Sequence, residues 1–255
     1  MADPLVLNPR ECEGKTWHPP HDLAFAASSV LIPLHGRELA KAAASMPLAL
    51  VEVAGVWQLV GVCGLALGHN LFVREGKWLG SYQPEWLSTW PFEIATRGER
   101  GYVTFERESG LEDVHGAGEP FFDDQGQMSP AVASRVEALK ASFPRHQATR
   151  KAVAALVEAG VVTPWPEALK QSQGVALDGL YMVDEPALAK LDDAAFLELR
   201  RLQALPIAYA LNLSITQTHL LGRLARLNPG QVATPDNLDS VFGNDDDEFS
   251  FDFDS

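Results

Sequence analysis

The 255-residue chain carries a formal charge of −14 at neutral pH, with 34 acidic and 20 basic residues. Eight of the acids and none of the bases fall in residues 236–255, so the rest of the chain, with 26 acids and 20 bases, has a net charge of only −6. Binding to nucleic acid by charge attraction needs a clustered basic surface, which the sequence lacks, and we therefore expect no nucleic-acid partner.

The cysteines and the apolar runs indicate the compartment in which the protein works. Cys12 and Cys63 lack the paired spacing of a zinc or redox motif, so we predict free thiols in a reducing compartment, with a disulfide between them as the alternative. The N-terminal residues lack a positively charged start followed by a long apolar run, and the longest nearly apolar run, residues 53–67, is too short to span a bilayer. We expect a soluble, cytoplasmic protein without a membrane span.

The first half of the chain predicts a mostly antiparallel sheet with hairpins. After a polar, proline-marked arm over residues 1–21, a short strand is predicted at 30–34 and an alanine-rich helix at 36–46. Leu48–Val53 and Val56–Val62 are apolar at nearly every position and are separated by an Ala-Gly pair. This pattern predicts a hairpin whose strands lie in the centre of the sheet and are covered on both faces.

Residues 68–94, which we call the aromatic unit, hold three of the six tryptophans. Apolar residues on either side of a Glu-Gly pair predict two short strands joined by a tight turn. Trp86 and Trp90 then have the spacing that places them on one face of a short helix, which ends before a further strand. Rings of this size bury about 150–250 Å² each, so they either form the centre of the core or line a pocket. The candidate partner-binding residues are Trp78, Tyr82, Trp86 and Trp90.

The second half of the chain is predicted to be mainly helical. A helix begins after Ser129 and continues to about residue 159, and Pro144 should kink or divide it. A strand is predicted at 175–184, followed by short helices and then by a last long helix from Pro206 to about residue 227.

No metal site, cofactor or catalytic residue is predicted. Residues 123–126 contain two aspartates but lack the alternating ligands and the distal glutamate of a calcium loop, so the sequence favours a turn. His18 and His21 have no cysteine or carboxylate pair nearby. His35 and His69 would form a metal pair only if the fold brought them together, and structural histidines are more common.

The C-terminal residues, 229–255, are too polar and acidic to form a core, and we predict a disordered acidic tail. Phe249, Phe251 and Phe253 alternate with small or acidic residues, so an extended segment would place all three rings on one side. Two interpretations stay open, a segment that docks through these rings and a merely solubilising extension. Residues 1–228 are predicted to form a single α+β domain, with the C-terminal helices packed on the N-terminal sheet.

Several short motifs occur together in the order and spacing of one protein family. They are Pro33-Leu34 with the helix after it, Asn70-Leu71-Phe72-Val73 followed by Gly76 and Trp78, Tyr82 with Pro84, Trp90-Pro91-Phe92, Gly118-Glu119-Pro120-Phe121-Phe122-Asp123, and Val183-Asp184-Glu185. Between about residues 17 and 227 the chain resembles the SapC family of bacterial proteins. It departs from the family pattern at Pro144 and in the acidic phenylalanine tail.

The resemblance implies an accessory or binding role and supplies no catalytic residues. The family name associates its members with peptide transport or surface-layer export, and members are often encoded near halogenase-like enzymes, cupin-like hydroxylases and outer-membrane receptors. We therefore hypothesise a non-enzymatic accessory protein whose aromatic unit contacts a peptide or protein partner, such as a halogenase-like or hydroxylase-like enzyme, with a homo-oligomer as a further expected assembly. The alternative hypothesis is a metal- or cofactor-dependent enzyme with an unrecognised active site around His35, His69 and nearby carboxylates.

Overall fold

The computed structural model describes residues 4–97, 100–113 and 115–227 and shows the α+β fold that the sequence predicts. Its strands are β1 (Leu5–Val6), β2 (Thr16–Trp17), β3 (Leu31–Pro33), β4 (Leu48–Val53), β5 (Val56–Val62), β6 (Val73–Arg74), β7 (Lys77–Trp78), β8 (Phe92–Arg97), β9 (Arg100–Phe105), β10 (Glu112–Asp113), β11 (Glu119–Pro120), β12 (Val162–Pro164) and β13 (Tyr181–Val183). Its α-helices are α1 (Leu39–Ala43), α2 (Trp86–Thr89), α3 (Pro130–Glu158), α4 (Glu167–Gln173), α5 (Glu185–Leu188), α6 (Asp193–Arg201), α7 (Ala204–Ser214) and α8 (Thr218–Leu227). The predicted tail, with Phe249, Phe251 and Phe253, lies outside the described residues.

The largest sheet has five antiparallel strands in the order β12-β13-β4-β5-β3. β4 and β5 have the predicted bounds, and the two residues between them, Ala54 and Gly55, have positive φ values of 50° and 76°. Positive φ at both positions gives a two-residue turn the same twist as the strands that it joins. The hairpin lies inside the strand order, as predicted, and Leu48, Ala49 and Leu50 are fully buried. Val53 and Val56 beside the turn are exposed, so the strands are covered on both faces only away from the turn.

The predicted N-terminal arm belongs to two smaller sheets. β1 pairs with β9, which also pairs with β8, and β2 lies between β10 and β11. Trp17, on β2, is fully buried and packs against the rings of Phe92, Phe105 and Phe121 at centroid distances from 5.2 to 6.0 Å. These rings form the centre of a second hydrophobic cluster, separate from the first cluster around the large sheet.

The long helix α3 packs against both hydrophobic clusters. Val132 and Val136 belong to the second cluster, whereas Val153 and Leu156 belong to the first. The helix continues through Pro144 and is not divided there, so of the two predicted outcomes only the kink stays a prediction. A proline inside a helix costs about 3 kcal/mol or more. Burial of apolar side chains on both sides of it, at about 1.5–3 kcal/mol for each fully buried one, offsets that cost.

Two further predictions differ from the structure. The strand predicted at 175–184 is confined to β13, and the sequence pattern does not predict α4 before it. The last long helix is two helices, α7 and α8, separated by a 3-10 turn at Ile215–Gln217. The hydroxyls of Ser214 and Thr218 donate to backbone carbonyls three residues earlier, and bonds of this kind compete with the regular helical ladder.

Both cysteines are free thiols, as predicted. Cys12 lies in the second hydrophobic cluster and Cys63 in the first, and burial raises the pKa of each thiol. Over the described part of the chain, every helix is too short or too polar to cross a membrane.

Candidate functional site

The four aromatic residues predicted to bind a partner are all half-buried, and they form two groups. Trp78 stacks on Phe72 with ring centroids 5.1 Å apart, and its Nε1 donates a hydrogen bond to the carbonyl oxygen of Tyr82 at 2.6 Å. Trp86 and Trp90 lie on one face of α2 and its C-terminal end, with ring centroids 5.0 Å apart, as their spacing predicts. The aromatic unit is therefore partly core and partly surface.

The two groups border different concavities. Trp78 borders an open groove of about 650 Å³ that also includes Phe25. Trp86 borders a smaller space of about 220 Å³, which we call the Trp86 cavity. Neither Tyr82 nor Trp90 is among the described residues that line these two spaces. The structure thus does not place the four predicted residues around a single pocket.

The lining of the Trp86 cavity combines apolar and polar side chains from α2, β8, α3 and nearby strands. The apolar ones are Pro33, Trp86, Phe92, Ile94, Leu139 and Phe143, and the polar ones include Gln58, Glu93, His146, Gln147 and Arg150. A concave site of this composition can hold an apolar group and hydrogen-bond the polar atoms next to it.

The buried carboxylate of Glu38 ties the start of α2 to the turn that precedes α1. Its Oε1 accepts hydrogen bonds from the Tyr82 hydroxyl at 2.7 Å and from the backbone N–H of Glu85 at 2.9 Å. Its Oε2 accepts a third, from the backbone N–H of His35 at 2.9 Å. These donors satisfy a carboxylate that burial would otherwise make costly. Burial and the bond to Glu38 raise the pKa of Tyr82, so its hydroxyl stays protonated and continues to donate.

His35 is fully buried and connects the same turn to α3. Its Nε2 lies 3.0 Å from Oε2 of Glu85, and that oxygen also accepts a hydrogen bond from Nη1 of Arg145 at 3.0 Å. Burial opposes ionisation of Glu85, but the bonds and charges of His35 and Arg145 outweigh it and lower the pKa of that carboxyl. A second link to α3 runs from the N–H of Gly36 to the hydroxyl of Thr149 at 2.8 Å. We call these residues, with Glu38 and Tyr82, the polar network.

His146 connects the polar network to the Trp86 cavity. Its ring meets the ring of His35 edge-on, with centroids 5.1 Å apart, and it also lines the cavity. Burial and the nearby charges of His35 and Arg150 lower the pKa of His146 to about 4. The imidazole is therefore neutral at physiological pH and can accept a hydrogen bond from a group in the cavity.

The structure shows no contact between His35 and His69, the two histidines considered as a metal pair. His35 is enclosed by the polar network, whereas His69 is exposed in the loop after β5. Within residues 4–97, 100–113 and 115–227, no group of three or more histidine, cysteine and acidic side chains could hold a metal ion. Asp123 caps the predicted turn, because its Oδ1 accepts hydrogen bonds from the backbone N–H groups of Gln125 and Gln127.

Sequence reasoning identified the aromatic rings but missed the polar network that supports them. One local signal was present, because Glu38 follows His35 by three residues, the spacing of a capping box, and the structure contains that box. The bond between Glu85 and Arg145 joins residues 60 positions apart. Single-sequence patterns carry no information on contacts of that range.

The family model described as SapC matches residues 7–221, and the chain belongs to the SapC family. The matched residues include the whole aromatic unit and the polar network. Comparison with curated proteins and with solved structures gives no match.

Proposed function

We propose that this member of the SapC family is a non-enzymatic accessory protein that binds a peptide or protein partner at the Trp86 cavity. The size of that cavity carries the proposal. Its volume of about 220 Å³ is below the range of about 300–1,000 Å³ that is usual for small-molecule pockets. A cavity of this size, with aromatic rings in its wall, suits one large apolar side chain of a partner.

The polar network supports the proposal because it fixes the cavity before a partner arrives. Glu38 and Glu85 hold the first turn of α2, and Arg145 holds α2 against α3, so Trp86 and Phe143 have fixed supports. Ordering a flexible side chain on binding costs about 0.5–1.5 kcal/mol, and a preformed cavity avoids much of that cost. Half-buried tryptophans are also frequent energetic centres of protein interfaces.

The polar residues that line the cavity would hydrogen-bond the backbone next to an inserted side chain. Arg150 and Gln147 provide donors, and the neutral imidazole of His146 provides an acceptor. Burial and the charge of Glu106 raise the pKa of Glu93, although the charge of Arg150 opposes this shift. This combination of donors and acceptors in the cavity wall favours a partner segment that is uncharged or mildly polar over one that is strongly charged.

The identity of the partner rests on the family association and not on the geometry. The association with peptide transport or surface export is compatible with an accessory role in the cytoplasm. A halogenase-like or hydroxylase-like enzyme is the first partner to test, and a second copy of this chain is the next.

A pull-down from the native host with immobilised full-length protein tests the proposal. Trp86→Ala removes one wall of the cavity, and Gln147→Trp fills the cavity from α3 without removing a core side chain. We expect both variants to retain at least ten-fold less of a specific bound protein than the unmodified chain. Leu67→Ala is the control, because Leu67 is 77% exposed and lies outside the cavity.

Binding by a folded Trp86→Ala protein at the level of the unmodified chain would contradict the proposal. The melting temperature of each variant, measured in the same preparations, separates a loss of binding from a loss of folding. Trp86→Ala removes a ring from the cavity wall, whereas Gln147→Trp adds one. A loss of binding in both variants would therefore be explained by the cavity and not by a shared defect in folding.

The second candidate is the metal- or cofactor-dependent enzyme, and the observation that favours it is the neutral His146 next to His35 in a cavity wall. A neutral imidazole has an unprotonated ring nitrogen that can bind a metal ion. Metal analysis of the purified protein tests this candidate. Stoichiometric metal that disappears in His35→Ala and His146→Ala variants would favour the enzyme.

A further inference from the structure

A groove separate from the Trp86 cavity lies between α3, α6, α7 and the turn before α1, and its volume is about 740 Å³. Four cationic side chains line it, namely Arg37, Arg145, Lys151 and Arg201. None of the described residues in its lining is acidic. We call this the basic groove, and its charge is opposite to the net charge of the protein.

Two of the four cations have no ion pair within the described part of the chain. They are Arg37 and Lys151, both exposed. Arg201 has only an exposed partner three residues earlier, Glu198, at 3.4 Å. An exposed pair of this kind contributes about 0–1 kcal/mol, so Arg201 remains available to another carboxylate.

The floor of the basic groove is apolar. Pro144, Leu202, Pro206 and Ile207 line it, and the side chain of Leu202 is 37% exposed. The apolar surface continues along α7, because Tyr209 and Leu213 follow Pro206 at helical spacing and are 48% and 72% exposed. A contiguous apolar strip of this kind marks an interaction surface.

The chain itself contains a segment with the complementary chemistry. Residues 244–255 hold six acidic residues, no basic residue and the three phenylalanines Phe249, Phe251 and Phe253. In an extended segment the three rings point to one side, toward an apolar floor, and the carboxylates are free to meet cations on the rim. This segment lies outside the described residues.

The length of the connection allows the segment to reach the groove. Phe249 follows Leu227, the last described residue, by 22 positions, which is a reach of about 70 Å when extended. A compact domain of this size has a radius of gyration of about 17 Å, so every part of its surface is within that reach. A tether of this type produces an effective concentration in the millimolar range, which favours the chain's own segment over a free acidic peptide.

We propose that the acidic phenylalanine segment, residues 244–255, docks in the basic groove of its own chain. The rings of Phe249, Phe251 and Phe253 pack on the apolar floor, and the carboxylates pair with the cations of the rim. The docked segment covers the exposed apolar strip of α7. This inference does not depend on the Trp86 cavity or on its partner.

Paramagnetic relaxation enhancement in the full-length protein tests the proposal. A nitroxide reagent labels a Ser255→Cys variant only at residue 255, because Cys12 and Cys63 are buried. In the docked state it broadens the backbone amide signals of residues 148–152 and 203–207. We expect this broadening at low ionic strength and its loss in about 1 M salt, where the screening length is about 3 Å.

Two sets of substitutions separate the contributions of rings and charges. Phe249→Ser, Phe251→Ser and Phe253→Ser together leave every described residue unchanged and should abolish the broadening. Lys151→Glu with Arg201→Glu should abolish it too. The matched control is Lys140→Glu with Lys190→Glu, which reverses the same number of charges at exposed positions outside the groove.

Three results would overturn the proposal. One is the absence of broadening at the groove, and another is broadening that survives the phenylalanine substitutions. The third is equally strong broadening at the groove of isotope-labelled chains without a nitroxide when these are mixed with spin-labelled chains, which would place the segment in the groove of a neighbouring molecule.

Discussion

Tyr82 and Glu38 lie 44 positions apart in the chain, yet the hydroxyl of Tyr82 donates a hydrogen bond to Oε1 of Glu38 at 2.7 Å. The bond connects the aromatic unit to the turn before α1. Because Glu38 is buried, each of its donors offsets part of the cost of removing its charge from water. The packing of the aromatic unit therefore depends on the carboxylate of Glu38, which lies outside residues 68–94.

Removal of that hydroxyl should destabilise the protein measurably. Tyr82→Phe keeps the ring but leaves the buried carboxylate one donor short, which should lower the free energy of unfolding by about 1–3 kcal/mol. Urea denaturation measures this change. Tyr102→Phe is the control, since Tyr102 is exposed, and it should change stability by less than about 0.5 kcal/mol. Equal stability of the two variants would mean that water replaces the lost donor.

The two tryptophans Trp86 and Trp17 should differ in their effect on stability. Trp17 is fully buried among three phenylalanine rings, so Trp17→Ala should cost about 3–5 kcal/mol. Trp86 is half-buried at a cavity, and Trp86→Ala should cost clearly less. Thermal or urea unfolding of both variants compares them. A loss for Trp86→Ala as large as that for Trp17→Ala would show that this ring acts mainly as core.

The depressed pKa of His146 predicts a pH dependence of stability. In the unfolded chain a histidine has a pKa near 6.5, whereas the folded value is about 4. Between these values the unfolded state binds a proton that the folded state does not. The contribution to stability is thus fully present above pH 6.5 and is lost as the pH falls toward 4.

Substitution of His146 should therefore flatten the stability profile between pH 6.5 and pH 4. Urea unfolding of His146→Gln and of the unmodified protein, at several pH values in this window, measures the difference in slope. His219→Gln, at an exposed position, serves as the control and should keep the original slope. A profile for His146→Gln that is parallel to the original would assign the acid sensitivity to other groups.

Replacement of the proline inside α3 should stabilise the protein. A proline in a helix interior costs about 3 kcal/mol, because it lacks a backbone N–H and clashes with the preceding turn. Pro144→Ala restores the donor and removes the clash. The greater freedom of alanine in the unfolded chain reduces the gain by about 0.4–1 kcal/mol. Pro130→Ala is the matched control, because proline is well tolerated at the first position of a helix. A less stable Pro144→Ala variant would show that the ring makes contacts that outweigh the lost hydrogen bond.

The sequence predicted those parts of the structure that depend on local patterns. The hairpin of β4 and β5 has nearly continuous apolar runs around a two-residue turn, and its bounds were predicted to the residue. The pairing of β2 with β10 and β11 was not predicted, because it joins Trp17 to residues about 100 positions later. Two-residue strands show no periodicity of their own.

In the candidate site, too, the local features were predictable and the long-range contacts were not. Trp86 and Trp90 share a helical face, which their spacing of four residues reveals. The approach of His35 to His146 depends on how α3 crosses the turn before α1, and no spacing in the sequence encodes it. The shared helical face of the two tryptophan rings was therefore predictable, whereas the contacts of the charged groups in the polar network were not.

The helix α3 carries side chains into both hydrophobic clusters, and this has a consequence for how the protein loses its structure. If the cluster around Trp17 opened alone, the first half of α3 would lose its packing while the second half stayed fixed to the large sheet. Helical segments without packing are only marginally stable in water, so the opening would extend along the helix into the other cluster. The described part of the chain should consequently behave as one cooperative unit, with a single unfolding transition in place of one for each cluster.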